Sequence, residues 1–323
     1  MMGSRREKFS SIDGIQAGLG SVDYIATRQI ATALFLASNL QKPVLVEGPA
    51  GVGKTELARA AAQWLELPLI RLQCYEGLDE SKALYEWKYG KQLLYTQLLK
   101  EKLADVMQGA KGMRQSMERL RGFGDAFFAE DFLEPRPLLK ALRQDGGAVL
   151  LIDEIDKSDE EFEAFLLEIL SDYQVSIPEL GTIRAKVPPL VFLTSNNTRE
   201  MGDALKRRCL HLYIPFPDAG LEERIVEARV PGVAQRLKRQ LVAFVQGLRG
   251  QELKKQPSVS ETIDWARTML LLHAGELEPQ LVRDTLNVLL KFEEDIEATL
   301  PKVRELTLRS AEAAGHGVHV ASA

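Results

Sequence analysis

The residues best suited to chemistry form one glycine-rich loop, Gly48-Pro-Ala-Gly-Val-Gly-Lys-Thr55, which matches the pattern GxxxxGK(S/T). Its glycines let the backbone curl until consecutive N–H groups face an anion, and the dipole of a helix that begins at Lys54 adds to that field. The lysine can reach nucleotide phosphates, and the Thr55 hydroxyl can complete a Mg²⁺ shell. We therefore predict that the whole loop binds phosphate: Gly48, Pro49, Ala50, Gly51, Val52, Gly53, Lys54 and Thr55.

Two adjacent carboxylates, Asp153 and Glu154, follow an apolar run over 148–152. If that run is a buried strand, Asp153 lies at its carboxyl end beside the phosphate loop and can hold Mg²⁺. Glu154 can then align and polarise an attacking water. Such a pair also occurs as a simple strand-capping turn, but its presence together with the loop favours catalysis. The nearby Asp156 and Asp159 are interpreted as surface or helix N-terminal acids.

An amide follows a further apolar run over 190–194, within the sequence Ser-Asn-Asn-Thr. Asn196 is expected where a side-chain amide can touch the γ-phosphate and the water. Asn197 is the alternative, and both residues can also form Asx-turns. We favour Asn196 as the catalytic amide.

Two arginines, Arg207 and Arg208, end a predicted helix just before another apolar run. Basic side chains at a helix C-terminus are favourable through the helix dipole alone. The functional interpretation is an arginine finger that reaches the γ-phosphate bound to a neighbouring subunit, a group that contributes about 10³–10⁵ in kcat in some measured systems.

The apolar pattern predicts strands that alternate with helices. The strands are predicted over 43–47, 67–72, 148–152, 190–194 and 211–214, and the helices over 30–40, 54–65, 138–143, 160–171 and 201–208. This alternation is typical of an α/β fold in which helices cover both faces of a parallel sheet. We therefore predict a three-layer αβα domain.

The strand signals stop near Pro217, where we place a domain boundary. A smaller, all-helical domain over 218–310 follows, with helices predicted over 221–229, 233–246, 260–273, 279–290 and 292–300. Within the first domain, 1–217, the polar stretch up to Gly20 is expected to wrap the surface, and the charged segment from about 88 to 130 is expected to be an insertion. Residues 311–323 are expected to form a flexible tail.

The composition excludes several classes of protein. A 45% hydrophobic and 27% charged chain of 323 residues is not globally disordered, and a net charge of −5 argues against nucleic acid as a partner. Two cysteines, Cys74 and Cys209, exclude a disulfide framework and a four-cysteine zinc site. The apolar runs are shorter than the ~20 residues of a membrane span, and no export signal is visible, so we expect a cytoplasmic protein.

In combination, these features resemble an AAA+ ATPase. The order is Walker A (the phosphate loop), Walker B (Leu150–Glu154), sensor 1 (Asn196), an arginine-finger helix and a helical lid. More narrowly, the chain resembles the MoxR family, because Glu168–Arg184 is similar to the hairpin that precedes sensor 1 in that family. The stretches 72–79, 85–88, 162–168 and 195–200 are most similar to its CoxD-like branch, and the resemblance covers Gly20–Leu290.

The resemblance implies ATP and Mg²⁺ as cofactors and assembly into a ring, usually a hexamer, with sites shared between subunits. It also implies a chaperone-like role, either remodelling or metal-cofactor maturation of a protein client, commonly with a von Willebrand factor A domain partner. By match to the motifs, Lys54 and Thr55 bind phosphate and Mg²⁺, Asp153 binds Mg²⁺ and Glu154 activates water. Arg208 fits the finger position better than Arg207, because it directly precedes the residue that leads into the next strand.

The chain departs from the family pattern in the lid. MoxR proteins usually carry a sensor-2 arginine just after a proline, whereas here Ser258 follows Pro257. Arg267, later on the same predicted helix, is a possible substitute.

Two other functions stay open on the sequence. The first is a nucleic-acid motor or restriction-system NTPase, for which the basic residues within 100–121 can line a pore, although acids are interspersed among them. The second is a nucleotide-gated scaffold, against which the Asp153-Glu154 pair argues. The absence of an Asn-Lys-x-Asp signature favours ATP over GTP. Tyr24 and Ile25 are expected to contact adenine, or else to pack beneath the loop.

Overall fold

The structure is a computed structural model that describes residues 7–95, 97, 130–178 and 180–316. It begins with elements that lead into and out of the phosphate loop: α1 (Ile12–Gly20), α2 (Arg28–Leu40), β1 (Val44–Glu47), α3 (Lys54–Leu65) and β2 (Leu69–Gln73). The prediction that the stretch up to Gly20 wraps the surface is wrong, because Ile15 and Leu19 of α1 lie four residues apart and are both fully buried. The buried Phe9 also packs edge-on against Trp64, with ring centroids 5.3 Å apart.

The next part of the chain contains a small antiparallel ribbon. Its elements are α4 (Glu80–Ala83), β3 (Tyr85–Trp87), β4 (Leu133–Pro135), α5 (Pro137–Leu142) and β5 (Val149–Asp153). Strands β3 and β4 pair with Trp87 opposite Leu133. The predicted insertion, about 88 to 130, therefore leaves the fold from one strand of the ribbon and returns at the other, and its residues 96 and 98–129 lie outside the described part of the chain.

A hairpin separates the last elements of the sheet domain. These elements are α6 (Glu160–Asp172), β6 (Gln174–Ile177), β7 (Gly181–Arg184), β8 (Leu190–Ser195), α7 (Asp203–Arg208) and β9 (Leu210–Tyr213). β6 and β7 pair antiparallel directly after α6, at the place where the sequence predicts a hairpin. Asp159 accepts a hydrogen bond from the backbone N–H of Phe162 at 2.8 Å, so it is the helix N-terminal acid that the sequence predicts.

A five-stranded parallel sheet, in the order β2-β5-β8-β1-β9, organises this domain. Alternate strand residues pack on opposite faces: Val46 and Leu151 join a core with α1, α2 and α3, whereas Leu150 and Leu193 join a core with α5 and α6. The predicted three-layer αβα domain with a parallel sheet is confirmed. Because the strands are parallel, the carboxyl ends of β1, β5 and β8 meet at one edge, which places the phosphate loop beside Asp153 and Asn196.

The rest of the chain is helical in the described residues: α8 (Ala219–Arg229), α9 (Gln235–Arg249), α10 (Val259–Leu271), α11 (Pro279–Leu289), α12 (Glu293–Thr299) and α13 (Val303–His316). Trp265 lies at the centre of this lid, 5.3 Å from Phe244 by ring centroids, and its indole N–H donates to Thr285 Oγ1 at 2.9 Å. The predicted flexible tail of 311–323 begins too early, because α13 continues to His316 and Ala314 is buried. Residues 317–323 of that prediction lie outside the described part of the chain.

Candidate active site

The phosphate loop connects β1 to α3 and requires glycine at two of its positions. Gly48 has a φ of +148°, and a Cβ atom added there would lie 2.1 Å from the carbonyl oxygen of Ile214. Gly51 has a φ of +74°, and an added Cβ would lie 2.4 Å from the side chain of Ser258. Larger residues would therefore both strain the backbone and collide with neighbouring elements.

Lys54, the first residue of α3, lies buried at the centre of the loop. Its ammonium donates to the carbonyl oxygens of Gly48 at 2.6 Å and Pro49 at 2.8 Å, and to Asn196 Oδ1 at 2.8 Å. Burial lowers the pKa of this lysine, while the charges of nearby carboxylates oppose the shift, led by those of Asp156 and Asp153. The lysine is thus aimed at the edge where the strands end.

The buried carboxylate of Asp153 contacts the phosphate-loop threonine. Its Oδ1 accepts hydrogen bonds from Thr55 Oγ1 at 3.1 Å and from Thr194 Oγ1 at 2.5 Å. Its Oδ2 accepts from two guanidinium nitrogens of Arg71, Nε at 3.0 Å and Nη2 at 2.6 Å. A hydroxyl and a carboxylate in contact supply the oxygen donors that Mg²⁺ prefers.

These two donors fit an ion that also binds substrate oxygens. Within the described residues, no group of three or more His, Cys, Asp and Glu side chains could hold a metal by itself. Mg²⁺ is commonly held by one or two carboxylates together with the phosphates of a nucleotide, and it keeps several waters. Thr55 and Asp153 are therefore the residues that would hold Mg²⁺ here.

Glu154 has a left-handed backbone, with φ 57° and ψ 50°, which turns its side chain away from the strand direction. Its Oε2 accepts from Lys157 Nζ at 2.6 Å and from Gln73 Nε2 at 2.9 Å. Its Oε1 makes only a long contact, 3.5 Å, with Asn196 Nδ2. The hydrogen bond to Glu154, together with its negative charge, raises the pKa of Lys157. Oε1 is thus the oxygen left to act on a substrate.

The structure brings Asn196, and not Asn197, to this cluster. The side chain of Asn196 bridges Lys54 and Glu154, through the contacts given above. Asn197 is exposed with a φ of 59°, and its backbone N–H donates to Ser195 Oγ at 2.9 Å. The backbone of Asn197 therefore forms the turn after β8.

Of the two alternatives predicted for Asp156, the surface acid is wrong because the residue is buried, whereas it does lie in the first turn of the short 3-10 helix Ile155–Lys157. Its Oδ2 accepts three hydrogen bonds, from the backbone N–H of Asn196 at 3.2 Å, the backbone N–H of Thr198 at 3.0 Å and Thr198 Oγ1 at 2.6 Å. Burial acts to raise the pKa of this carboxyl, but the hydrogen bonds outweigh burial and the pKa is lowered. Asp156 thus holds the loop that carries Asn196.

The two candidate finger residues, Arg207 and Arg208, are exposed at the C-terminal end of α7. Within the described part of the chain, neither pairs with a carboxylate or contacts the site of its own subunit. Their location is that of groups on an outer surface.

A cavity of about 500 Å³ adjoins the phosphate loop, between the sheet domain and the lid. The structure places Tyr24 and Ile25 in its wall, together with Val52 from the loop, Phe216 from the segment between β9 and α8, and Ile263 from α10 of the lid. Burial, assisted by the nearby carboxylate of Glu56, raises the pKa of Tyr24, so its hydroxyl stays protonated. The size and apolar lining suit a nucleobase.

The lid touches the phosphate loop at the start of α10. Ser258 caps this helix in a capping box with Glu261, and the backbone N–H of Ser260 donates to the carbonyl oxygen of Gly51 at 3.3 Å. Arg267, the possible sensor-2 substitute, is half exposed, pairs with Asp264 at 3.2 Å and is not among the residues that line the cavity. The structure therefore does not place Arg267 in the wall of the cavity.

Sequence reasoning did not identify several residues that contact the acidic pair. Arg71 and Gln73 project from β2, and Thr194 from β8, towards Asp153 and Glu154. For Arg71 and Gln73, the sequence offers one indication: polar side chains two residues apart near the end of a predicted strand point to the same face. Their proximity to the acids also requires the strand order, which places β2 beside β5.

Comparison with known proteins assigns the family. The model of the AAA domain, dynein-related subfamily, matches residues 43–209, which include the loop, the acidic pair, Asn196 and both arginines. The chain therefore belongs to this AAA domain family.

Among individual proteins, an uncharacterized protein of Staphylococcus aureus strain USA300 is 25% identical over 247 residues, which are 74% of this chain and 79% of that protein. An uncharacterized protein of Staphylococcus aureus bovine strain RF122 matches with the same identity and coverage. Among solved structures, the RuvB Holliday junction branch migration motor of Thermotoga maritima aligns with a TM-score of 0.43 and 16% identity, over 86% of this chain and 71% of that chain.

Proposed function

We propose that this protein hydrolyses ATP to ADP and phosphate in a Mg²⁺-dependent reaction. The observation that carries the proposal is the contact of three motifs far apart in the chain: Lys54 Nζ lies 2.8 Å from Asn196 Oδ1, and the amide of Asn196 reaches Glu154. A cation for the phosphates, a polar amide and a carboxylate base thus converge at one edge of the sheet. Phosphoryl transfer needs mainly such positioning and charge stabilisation.

Each residue then has a defined task. Lys54 and the loop amides bind the phosphates. Thr55 and Asp153 would hold Mg²⁺, and the bound ion would supply positive charge against the phosphate oxygens. Glu154 Oε1 accepts a proton from the attacking water. Asn196 orients that water and the terminal phosphate, while Gln73 and Lys157 hold the other carboxylate oxygen of Glu154.

The test is the variant Glu154→Gln, which removes the base and keeps the size of the side chain. We expect it to bind ATP and lose turnover, measured by calorimetry and by phosphate release. Glu161→Gln, on the exposed face of α6, is the matched control and should hydrolyse ATP at the wild-type rate. Wild-type turnover in Glu154→Gln would show that the base is assigned wrongly, and failure of the wild-type chain to bind ATP would overturn the proposal.

We further propose that the chain is a cytoplasmic, ring-forming member of the MoxR family, closest to its CoxD-like branch. The β6–β7 hairpin after α6 and the exposed Arg207 and Arg208 support this assignment. The AAA+ ring would use ATP for chaperone-like remodelling or metal-cofactor maturation of a client, with a von Willebrand factor A domain partner. None of the helices in the described residues is long and apolar enough to cross a membrane. Capture of partners by Glu154→Gln with ATP present, against Lys54→Ala as the non-binding control, tests this role.

A further inference from the structure

One arginine of the lid enters the cavity beside the phosphate loop. Arg229, the last residue of α8, lines the cavity, and its Nη1 donates to Glu56 Oε1 at 2.8 Å. Glu56 follows Thr55 in the first turn of α3 and lines the same cavity. The contact therefore joins the lid directly to the helix that begins at the phosphate-binding lysine.

The charges around the cavity single out this arginine. Among the described residues that line it, Asp23, Glu56 and Asp218 are acidic and Arg229 is the one cation. The side chains of Arg229 and Glu56 are 34% and 33% exposed, so each retains a solvent-facing part while it contacts the other. This cation, held by a carboxylate, links α8 to α3.

Other cations near this contact do not replace Arg229. Arg59 Nε lies 3.6 Å from Glu56 Oε2, but it belongs to the same helix as Glu56 and so cannot join two domains. The contacts of Ser258 and Ser260 with Gly51 are neutral. The ionic contact across the cavity is thus made by Arg229.

We infer that Arg229 is a positioning residue that ties the lid to the phosphate-loop helix and thereby slows the release of nucleotide. The inference rests on the proposed nucleotide site. A base in the cavity is enclosed by α8 and α10 on one side and by the loop and Tyr24 on the other. Its release requires these walls to separate, and the Arg229–Glu56 contact opposes that separation.

The primary test is the rate at which a fluorescent ADP analogue dissociates from Arg229→Ala, measured by stopped flow. Because a partly exposed ion pair contributes little free energy, we expect dissociation to become about two- to fivefold faster. Arg224→Ala, an exposed arginine of the same helix, is the matched control and should dissociate at the wild-type rate.

A double-mutant cycle distinguishes the loss of the Arg229–Glu56 contact from a general loss of packing. Glu56→Ala should also accelerate dissociation, and Glu56→Ala/Arg229→Ala should be no faster than the quicker single variant. Arg229→Lys should recover part of the slow dissociation, because an ammonium can still pair with Glu56. Additive effects, or a rate for Arg229→Ala equal to that of Arg224→Ala, would overturn the inference.

Hydrogen exchange of the nucleotide-free chain tests the Arg229–Glu56 link between lid and α3 separately from the proposed nucleotide binding. Arg229→Ala should accelerate amide exchange in the last turn of α8 and the first turn of α10, relative to Arg224→Ala. If the wild-type chain binds no nucleotide but Arg229→Ala changes this exchange, Arg229 does link the lid to α3, and the proposed nucleotide site is wrong. If the chain binds nucleotide but Arg229→Ala changes neither the exchange nor the dissociation rate, the proposed nucleotide site is supported and the role of Arg229 is wrong.

Discussion

At the scale of single residues, Asp156 links two loops of the site through one carboxylate oxygen. It accepts hydrogen bonds from the backbone of Asn196 and from both the backbone and the side chain of Thr198, which lie about 40 positions further along the chain. Its other oxygen, Oδ1, is buried without a hydrogen-bond partner among the described residues. Because the backbone of Asn196 is held in this way, its side-chain amide stays directed at Lys54.

Asp156→Asn should therefore reduce both stability and turnover. The amide keeps one acceptor oxygen, but it removes the charge that strengthens three hydrogen bonds and leaves a buried N–H donor without a partner. We expect a loss of about 1–3 kcal/mol in the free energy of unfolding at pH 7, measured by urea denaturation, together with a lower kcat. Asp172→Asn, at the exposed end of α6, is the control and should change neither quantity.

The pH dependence of this variant has a defined sign. The pKa of Asp156 in the folded chain lies below its ordinary value of 3.8, so its stabilisation is complete above that value and is lost as the pH falls through the folded pKa. Asn does not titrate. The difference in stability between wild type and Asp156→Asn should thus be constant near neutral pH and shrink below about pH 4. A difference that grows as the pH falls would contradict this assignment.

The residues predicted from sequence are those whose chemistry is concentrated in short runs. Each of these runs follows a strand whose apolar pattern can be recognised from the sequence alone: the phosphate loop, Asp153-Glu154 and Asn196. The burial of Asp156 was not predicted because its partners, Asn196 and Thr198, are distant in sequence. Arg229 was not singled out because Glu56, its partner, lies 173 positions away.

At the scale of elements, a buried ion pair joins helices of the lid. Glu222 of α8 is fully buried, and its two carboxylate oxygens each accept from Arg249 of α9 at 2.7 Å. Thr262 of α10 and Gln246 of α9 also donate to this carboxylate, each at 2.7 Å. Three helices of the lid are therefore joined through this carboxylate.

Glu222→Gln should loosen these helices, because it leaves the buried guanidinium of Arg249 without a compensating charge. Breaking one partner of a buried pair costs about 3–5 kcal/mol, and we expect a loss of that order in the protection of lid amides, measured by hydrogen exchange. Glu223→Gln is the matched control: its partner Arg239 is 3.8 Å away and partly exposed, so the loss should stay below about 1 kcal/mol. Equal losses in the two variants would contradict the role of Glu222.

The elements themselves were predicted best where their pattern is strong. The five strands of the sheet were anticipated to within about two residues at each end, because buried parallel strands are continuously apolar. Helix α1 was missed because polar and glycine residues surround Ile15 and Leu19, its two buried positions. The extension of α13 to His316 was missed because small residues such as Ala314 pack in the interior without a visible apolar stripe.

At the scale of the whole molecule, the proposed ring makes a prediction about Arg208. If Arg208 completes the site of a neighbouring subunit, the Arg208→Ala variant still supplies Glu154, and the Glu154→Gln variant still supplies Arg208. A site between one subunit of each variant can then contain both residues. Each variant alone should be inactive, while a mixture should recover part of the ATPase rate, measured by phosphate release after subunit exchange. Replacing Arg208→Ala by Arg207→Ala in this experiment tests which of the two arginines reaches the neighbour.

A mixture of Lys54→Ala with Glu154→Gln serves as the negative control, because every site in it lacks either the phosphate-binding lysine or the base. Full activity of Arg208→Ala alone would show that Arg208 is dispensable. A mixture that stays inactive although subunit exchange is demonstrated would show that the arginine does not act between subunits.

The β3–β4 ribbon has a consequence for how proteins of this architecture can diversify. Pairing of Trp87 with Leu133 holds the departing and returning chain one strand spacing apart, about 4.8 Å, whatever lies between. The entropy of closing such a loop rises only slowly with its length. Residues between these strands can therefore be gained, lost or exchanged while the parallel sheet and the phosphate loop keep their geometry, so the ribbon is a position at which this fold can accept segments of different length.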